Sequence, residues 1–172
     1  MSCRVPVIAK ETGCGLSTAV ATRLRKAGVR HVDVSGAGGT SWVAVETHRA
    51  SDGRKALGEA FWEWGIPTAA SVAAVARVGF DTVFATGGVR GGLDIAKAVV
   101  LGGSAGGIAR PLLQALEQGG VEGARGALIQ IESEIRTTML LTGSRSLGEL
   151  ARAPRVLLGE LREWLEQEPL SR

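Results

Sequence analysis

Short apolar runs rich in Val, Ala and Ile recur along this chain, each followed by glycines and then by apolar residues at helical spacing. The run Val5 to Ala9, ending at Lys10, predicts a first buried strand, with Gly13 and Gly15 in its turn. Ser17 is placed to cap a helix from Thr18 to Ala27, with Ala19, Ala21 and Leu24 on its inner face and Gly28 as its stop. His31 to Val34 reads as a second strand. The stretch from Gly36 to Pro67 has a polar middle and reads as a long irregular loop, a length that in a compact domain marks function or mobility. Thr68 is read as the cap of a helix reaching Arg77. Phe80 to Ala85 predicts the third strand, Leu93 to Leu101 the third helix and Gly106 to Ala109 the fourth strand. Pro111 suits the first turn of a helix ending near Gln118. A longer amphipathic helix is expected over Ala124 to Leu141 from Leu128, Ile131, Ile135 and Met139, and Pro154 precedes a last helix, Val156 to Glu166, carrying Leu157, Leu161 and Leu165.

The order is βα four times, then helices. Such alternation argues for parallel strands with ligands at their C-terminal ends. A closed (β/α)8 barrel takes about 250 residues, and this chain has 172. The pattern therefore fits either a small doubly wound sheet or half of a barrel. By length residues 1–172 make one domain.

Composition narrows the classes. Hydrophobic residues make up 45% and charged residues 22%, as in a globular protein with a real core. The 25 glycines cluster after strands, which argues for loops that bind rather than for low complexity. A net charge of +3 suits an anionic ligand and is too small to imply nucleic acid, since no basic block with interleaved aromatics occurs. Cys3 and Cys14 form neither a disulfide framework nor a metal cluster, which favours a reduced, cytoplasmic setting. No apolar run reaches the roughly 20 residues that span a bilayer, and the first strand starts too early to leave room for a signal peptide.

Three glycine strings carry the candidate chemistry: Ser35-Gly36-Ala37-Gly38-Gly39-Thr40, Thr86-Gly87-Gly88-Val89-Arg90, and Gly106-Gly107-Ile108-Ala109-Arg110-Pro111. Glycines after a strand let backbone N–H groups approach a ligand, and a following helix N-terminus adds positive potential. Such turns point to a phosphate-bearing cofactor. Lys10, at a strand end, is either a surface lysine or a cation aimed at an anionic ligand. Arg90 either forks onto a phosphate or faces solvent. His31 and His48 stand far from any second ligand type, and Trp42, Trp62 and Trp64 read as packing for the long loop. Cys14 has no nearby histidine and reads as inert.

At these residues the chain resembles the type 2 isopentenyl-diphosphate isomerases, FMN enzymes built on a (β/α)8 TIM barrel. The matching strings are Val7-Ile8-Ala9-Lys10-Glu11-Thr12-Gly13, Val32-Asp33-Val34-Ser35-Gly36-Ala37-Gly38-Gly39-Thr40-Ser41-Trp42, Trp64-Gly65-Ile66-Pro67-Thr68, Thr86-Gly87-Gly88-Val89-Arg90, Ala96-Lys97-Ala98 with Leu101-Gly102, and Ala109-Arg110-Pro111-Leu112. The resemblance is to the C-terminal half of that family. It implies an α/β fold of four βα units over residues 5–118, the last four strands of a barrel, followed by C-terminal helices over 121–168. It implies isomerisation of isopentenyl diphosphate to dimethylallyl diphosphate, with reduced FMN as the acid–base group, NAD(P)H as the reductant and Mg2+ at the substrate. By the resemblance Lys10 faces the flavin ring and Ser35 and Thr40 contact the phosphate or its approach. Gly87, Gly88 and Val89 give N–H groups to the phosphate with Arg90 nearby, while Ala109 and Arg110 close the pocket.

The family's first half carries the Gln-Glu pair, of which Glu holds Mg2+, together with the diphosphate-binding residues. None of that region is in this sequence, so the catalytic residues and the metal ligand are expected outside it and the isolated chain is expected to be inactive. Its partner would be the missing N-terminal half or, in a homo-oligomer, another copy. Two alternatives follow. An α-hydroxy-acid oxidase would need His in a His-Gly-Gly-Arg string where this chain has Ala37-Gly38-Gly39-Thr40. A non-catalytic flavin- or phosphate-binding half-barrel subunit is the other.

Overall fold

The computed structural model describes residues 5–167, so Cys3 and residue 168 of the expected C-terminal helices lie outside the described residues. Four strands, β1 (Ile8–Lys10), β2 (His31–Asp33), β3 (Thr82–Ala85) and β4 (Ala105–Gly106), form one sheet in the order β1-β2-β3-β4, every pair parallel. Helix α1 (Thr18–Lys26) connects β1 to β2. Helices α2 (Trp42–Arg49), α3 (Gly53–Ala60) and α4 (Thr68–Ala76) lie between β2 and β3, and α5 (Gly92–Val100) lies between β3 and β4. Three helices follow: α6 (Arg110–Leu141), α7 (Leu147–Leu150) and α8 (Gly159–Glu166). This is an α/β fold with four βα units and C-terminal helices, part of a barrel rather than a closed one.

Strand register sorts the side chains. Ala9, Val32 and Val83 stand side by side across the sheet, as do Lys10, Asp33 and Phe84. The first set faces the core. Val32, Val34, Val83 and Ala85 pack there with Leu16 and Ala21, with Val72 and Val75 of α4, and with Ala98 of α5. Helix α4 approaches closely because its buried residues from Ala70 to Val75 are small. Ser71 closes the contact: its hydroxyl donates to Leu16 O at 2.8 Å and accepts from Leu16 N–H at 2.9 Å. A second cluster joins Ala96 and Val99 of α5 to Leu150 and Ala153. The opposite face of the sheet is open. Ile8 is 47% exposed, and Val5 and Val7 before it are exposed as well. Both β1 and β4 are sheet edges, which invite pairing with another chain.

Several expectations change. The stretch from Gly36 to Pro67 is not an irregular loop but carries α2 and α3. The Ser41 hydroxyl caps α2 by accepting from Ala44 N–H at 3.2 Å, and Thr47 and Gly58 bring the two helices together. The polar middle is the solvated face of short helices, with Glu46 and Arg49 paired in water at 3.2 Å. Strand β1 is shorter than the apolar run, and β4 begins at Ala105 instead of Gly106. Thr68 does not cap α4; its hydroxyl donates to Gly87 O at 2.6 Å while Pro67 holds the cap position. The two helices expected at Pro111 and Ala124 are both present, following one another within α6 and separated by the non-helical Gly120 (φ 59°, ψ −153°). Leu128, expected on the buried stripe of α6, is 54% exposed, while Met139 packs on the second cluster. The last helix starts at Gly159, not Val156.

Candidate flavin groove

The turns after all four strands open into one groove of about 890 Å³ at the C-terminal end of the sheet. Lys10, Ser35, Thr40, Gly87, Gly88, Val89, Arg90, Ala109 and Arg110, the nine residues singled out from sequence, all line it. Thr12, Gly13, Asp33, Trp42, Thr86 and Gln114 line it too and are not among those nine.

The glycine strings do two jobs. Part of the Gly36–Gly39 string is spent on structure: Gly36 N–H donates to Thr86 O at 2.9 Å and Ala37 N–H to Ile66 O at 2.9 Å. These two donors are not free for an anion, which corrects the reading of the whole string as a phosphate nest. The backbone of Gly36 and Gly38 lies directly against Gly87 and Gly88, so close that a side chain on Gly87 or Gly88 would overlap the facing backbone. What this packing leaves open are the N–H groups of Gly87, Gly88 and Val89, which meet no acceptor among the described residues.

Helices α5 and α6 both start at this end, and they differ. The first donors of α5 are already taken: Arg90 N–H donates to Asp94 Oδ2 at 3.0 Å and Gly92 N–H to Glu134 Oε2 at 2.6 Å. Helix α6 has no side-chain cap, and the N–H groups of Ile108, Ala109 and Arg110 lack partners among the described residues. The side chains of Arg90 and Arg110 pair with no carboxylate among the described residues. Backbone donors, an uncapped helix N-terminus and two guanidiniums, all without partners among the described residues, line the same groove, the chemistry that holds a phosphate.

The other side is built on Asp33. It is 8% exposed, and its Oδ2 lies 3.5 Å from Lys10 Nζ. Its Oδ1 accepts from the Thr86 hydroxyl at 2.6 Å and from Ser35 N–H at 3.0 Å. Ser35 itself adopts φ 38°, unusual for a residue other than glycine. Glu11 organises the first turn, its Oε2 accepting from Gly13 N–H and Cys14 N–H, each at 2.5 Å. Burial, and then the Glu11 carboxylate, pushes the Cys14 thiol up from its ordinary value, so it is a poor nucleophile at neutral pH.

Neither histidine lines the groove. His31 Nδ1 lies 3.0 Å from Thr82 Oγ1, at the opposite ends of the strands. His48 stacks edge-on against Trp62, with ring centroids 5.3 Å apart. Of the tryptophans read as loop packing, Trp62 and Trp64 make ring contacts there, whereas Trp42 reaches the groove.

A profile of the FMN-dependent dehydrogenases matches residues 2–156. The chain belongs to the FMN-dependent dehydrogenase family. It is 49% identical over 164 residues to isopentenyl-diphosphate delta-isomerase of Thermococcus onnurineus, covering 94% of this chain and 44% of that relative. It is 46% identical over 163 residues to the protein of the same name in Methanothermobacter thermautotrophicus, with 95% and 46% covered. The chain spans a little under half the length of the curated relatives it matches. Among solved structures, a mandelate oxidase variant with benzaldehyde superposes at TM-score 0.66 and 27% identity over 88% of this chain and 40% of that one. A mandelate oxidase variant with a monooxide FMN adduct superposes at TM-score 0.65 and 25% identity over 88% and 42%. Among the described residues no helix is long and apolar enough to cross a membrane.

Proposed function

We propose that this chain is the C-terminal half of an FMN-dependent isopentenyl-diphosphate isomerase and supplies its flavin site. The observation that carries the reading is the set of unpaired donors in the groove. Gly87, Gly88 and Val89 would hold the FMN phosphate through backbone N–H groups, with Ala109 and Arg110 at the start of α6 on the other side and Arg90 nearby. In barrels of this kind phosphate sits at the loops after the last two strands, here β3 and β4. Lys10, on β1, would face the flavin ring, with Ser35, just after β2, and Thr40 at the phosphate or its approach. When bound, FMN in its reduced form supplies the acid–base chemistry that moves the double bond, and NAD(P)H is the reductant that maintains it. This chain's residues bind and orient: the Lys10 ammonium offers positive charge to the reduced ring, and the arginines offset the phosphate.

The substrate, isopentenyl diphosphate, its diphosphate-binding residues and the Mg2+ ligand are assigned to the first half of the barrel. The open sheet face and the edges at β1 and β4 support this pairing. A homodimer would also cover the edges but would duplicate the flavin half, so it would not restore turnover. The protein is read as cytoplasmic, with no nucleic-acid partner.

An oxidase reading is disfavoured by the groove itself, where Ala37-Gly38-Gly39-Thr40 provides no histidine base. A purely flavin-binding subunit is the second reading, favoured by the absence of a Gln-Glu pair from the residues that line the groove. The test is titration of the purified chain with FMN and with riboflavin, followed by the flavin absorption bands. Binding of FMN at least tenfold tighter than riboflavin, about 1.4 kcal/mol, supports the phosphate cradle. Equal affinities contradict it.

A further inference from the structure

Asp33 is the sole carboxylate among the residues that line the groove, and the other polar side chains there are cations, hydroxyls, the Trp42 indole and the Gln114 amide. A buried negative charge there works against an anionic ligand and is costly unless fully satisfied. It is satisfied from three directions: by Lys10 of β1, by the N–H of Ser35 in the turn after β2, and by the Thr86 hydroxyl in the turn after β3. The Lys10 side chain is 52% exposed, so nothing but Asp33 restrains its ammonium among the described residues. Asp33 also accepts from the N–H of Ser35, whose positive φ is a conformation that needs support from its surroundings.

We propose that Asp33 is a positioning residue: it fixes the Lys10 ammonium over the groove and thereby sets how strongly the groove prefers reduced, anionic FMN over oxidised FMN. The proposal rests on the FMN reading above. Asp33 acts through Lys10 and not through its own charge. Released from Asp33, Lys10 swings toward solvent and its stabilisation of the reduced ring is lost.

The experiment measures the dissociation constants of oxidised and reduced FMN, anaerobically, for the wild-type chain and for D33N, K10M and K10M/D33N. The amide introduced by D33N keeps an oxygen for Ser35 and Thr86 while removing the ion pair, so this variant separates positioning from folding; a thermal melt confirms the fold. D33N lowers the ratio of oxidised to reduced dissociation constants at least tenfold, about 30 mV for a two-electron couple. K10M lowers it similarly, and the double variant falls no further than K10M. A D33N ratio that rises or stays within twofold of wild type, or a further tenfold change in the double variant, overturns the proposal. A second readout needs no flavin: acylation of Lys10 followed by mass spectrometry is at least threefold faster in D33N than in wild type. An unchanged acylation rate shows that Asp33 does not hold Lys10 in solution and also overturns the proposal. A wild-type chain that binds neither flavin form overturns the cofactor reading and the flavin preference with it, and acylation then decides the Lys10 hold alone.

Discussion

Replacing Gly88 by alanine should damage both the fold and the flavin site, and the size of the effect follows from where its Cβ would go. Gly88 has φ 74°. An L-residue held there is strained by about 1–2 kcal/mol. The new Cβ would lie 3.0 Å from Gly38 Cα and closer still to the Gly38 carbonyl, against ordinary carbon–carbon contacts of about 3.5–4.0 Å. The obstruction is backbone, and that backbone cannot turn aside. Gly36 N–H is bonded to Thr86 O at 2.9 Å, and the Thr68 hydroxyl to Gly87 O at 2.6 Å. Forced overpacking of this kind costs about 1–3 kcal/mol. Together the two effects destabilise by about 2–5 kcal/mol, a large share of the roughly 5–15 kcal/mol that holds a domain. With an m-value near 2 kcal/mol per M, the urea midpoint falls by about 1–2.5 M. FMN affinity measured in native buffer falls at least tenfold, because the displaced loop carries the N–H groups of Gly87 to Val89. G126A is the control: Gly126 lies in α6 with nothing within 4 Å of its Cβ position, and alanine there should stabilise by about 0.5–1 kcal/mol. A G88A chain within about 0.5 kcal/mol of wild type, with unchanged FMN affinity, would refute the interlocked-loop account.

Other perturbations read different parts of the structure. R110A should lower FMN affinity roughly tenfold, about 1.4 kcal/mol, and leave riboflavin affinity unchanged; equal losses for both ligands would remove Arg110 from the phosphate. S71A should destabilise by about 1–3 kcal/mol in urea, because the Leu16 N–H and C=O that Ser71 satisfies would be buried without a partner. Glu134 should make stability pH-dependent. The Gln130 amide, and then the Gly92 N–H, hold its carboxyl below the ordinary value of 4.5. A depressed folded-state value means that the stabilisation is present above pH 4.5 and is lost as pH falls through the folded value. The urea-midpoint advantage of wild type over E134Q should therefore be constant near neutrality and shrink below pH 4.5; an advantage that grows on acidification would contradict the cap.

Much of the fold is legible in the sequence because parallel strands and their helices obey short periodicities. Val32, Val34, Val83 and Ala85 announce strands buried against helices, and Ser17 caps α1 through Val20 N–H as its position foretells. What periodicity cannot show is how two polar segments pack. Helices α2 and α3 form because Ser41 caps one and Gly58 lets the other approach Thr47, contacts that no spacing of apolar residues announces. The same limit applies to the groove. Glycine strings announce themselves, so the residues around Gly87 and Ala109 stand out. Asp33 does not, because an acidic residue inside an apolar strand gives no signal of its partners, and these come from β1 and from the turn after β3. Nor can spacing divide the glycine string into donors spent on neighbouring loops and donors left open, since the acceptors Thr86 O and Ile66 O arrive from distant segments.

On the function proposed above, this chain supplies the flavin half of an isomerase whose catalytic groups lie in the other half of the barrel. The most direct measurement is conversion of isopentenyl diphosphate with reduced FMN and Mg2+, using this chain alone and then with a chain carrying the first four strands. The account predicts no turnover alone and turnover once the second chain is added. Full turnover by the 172-residue chain alone would contradict it, as would a bound, FMN-loaded pair of halves that stays inactive.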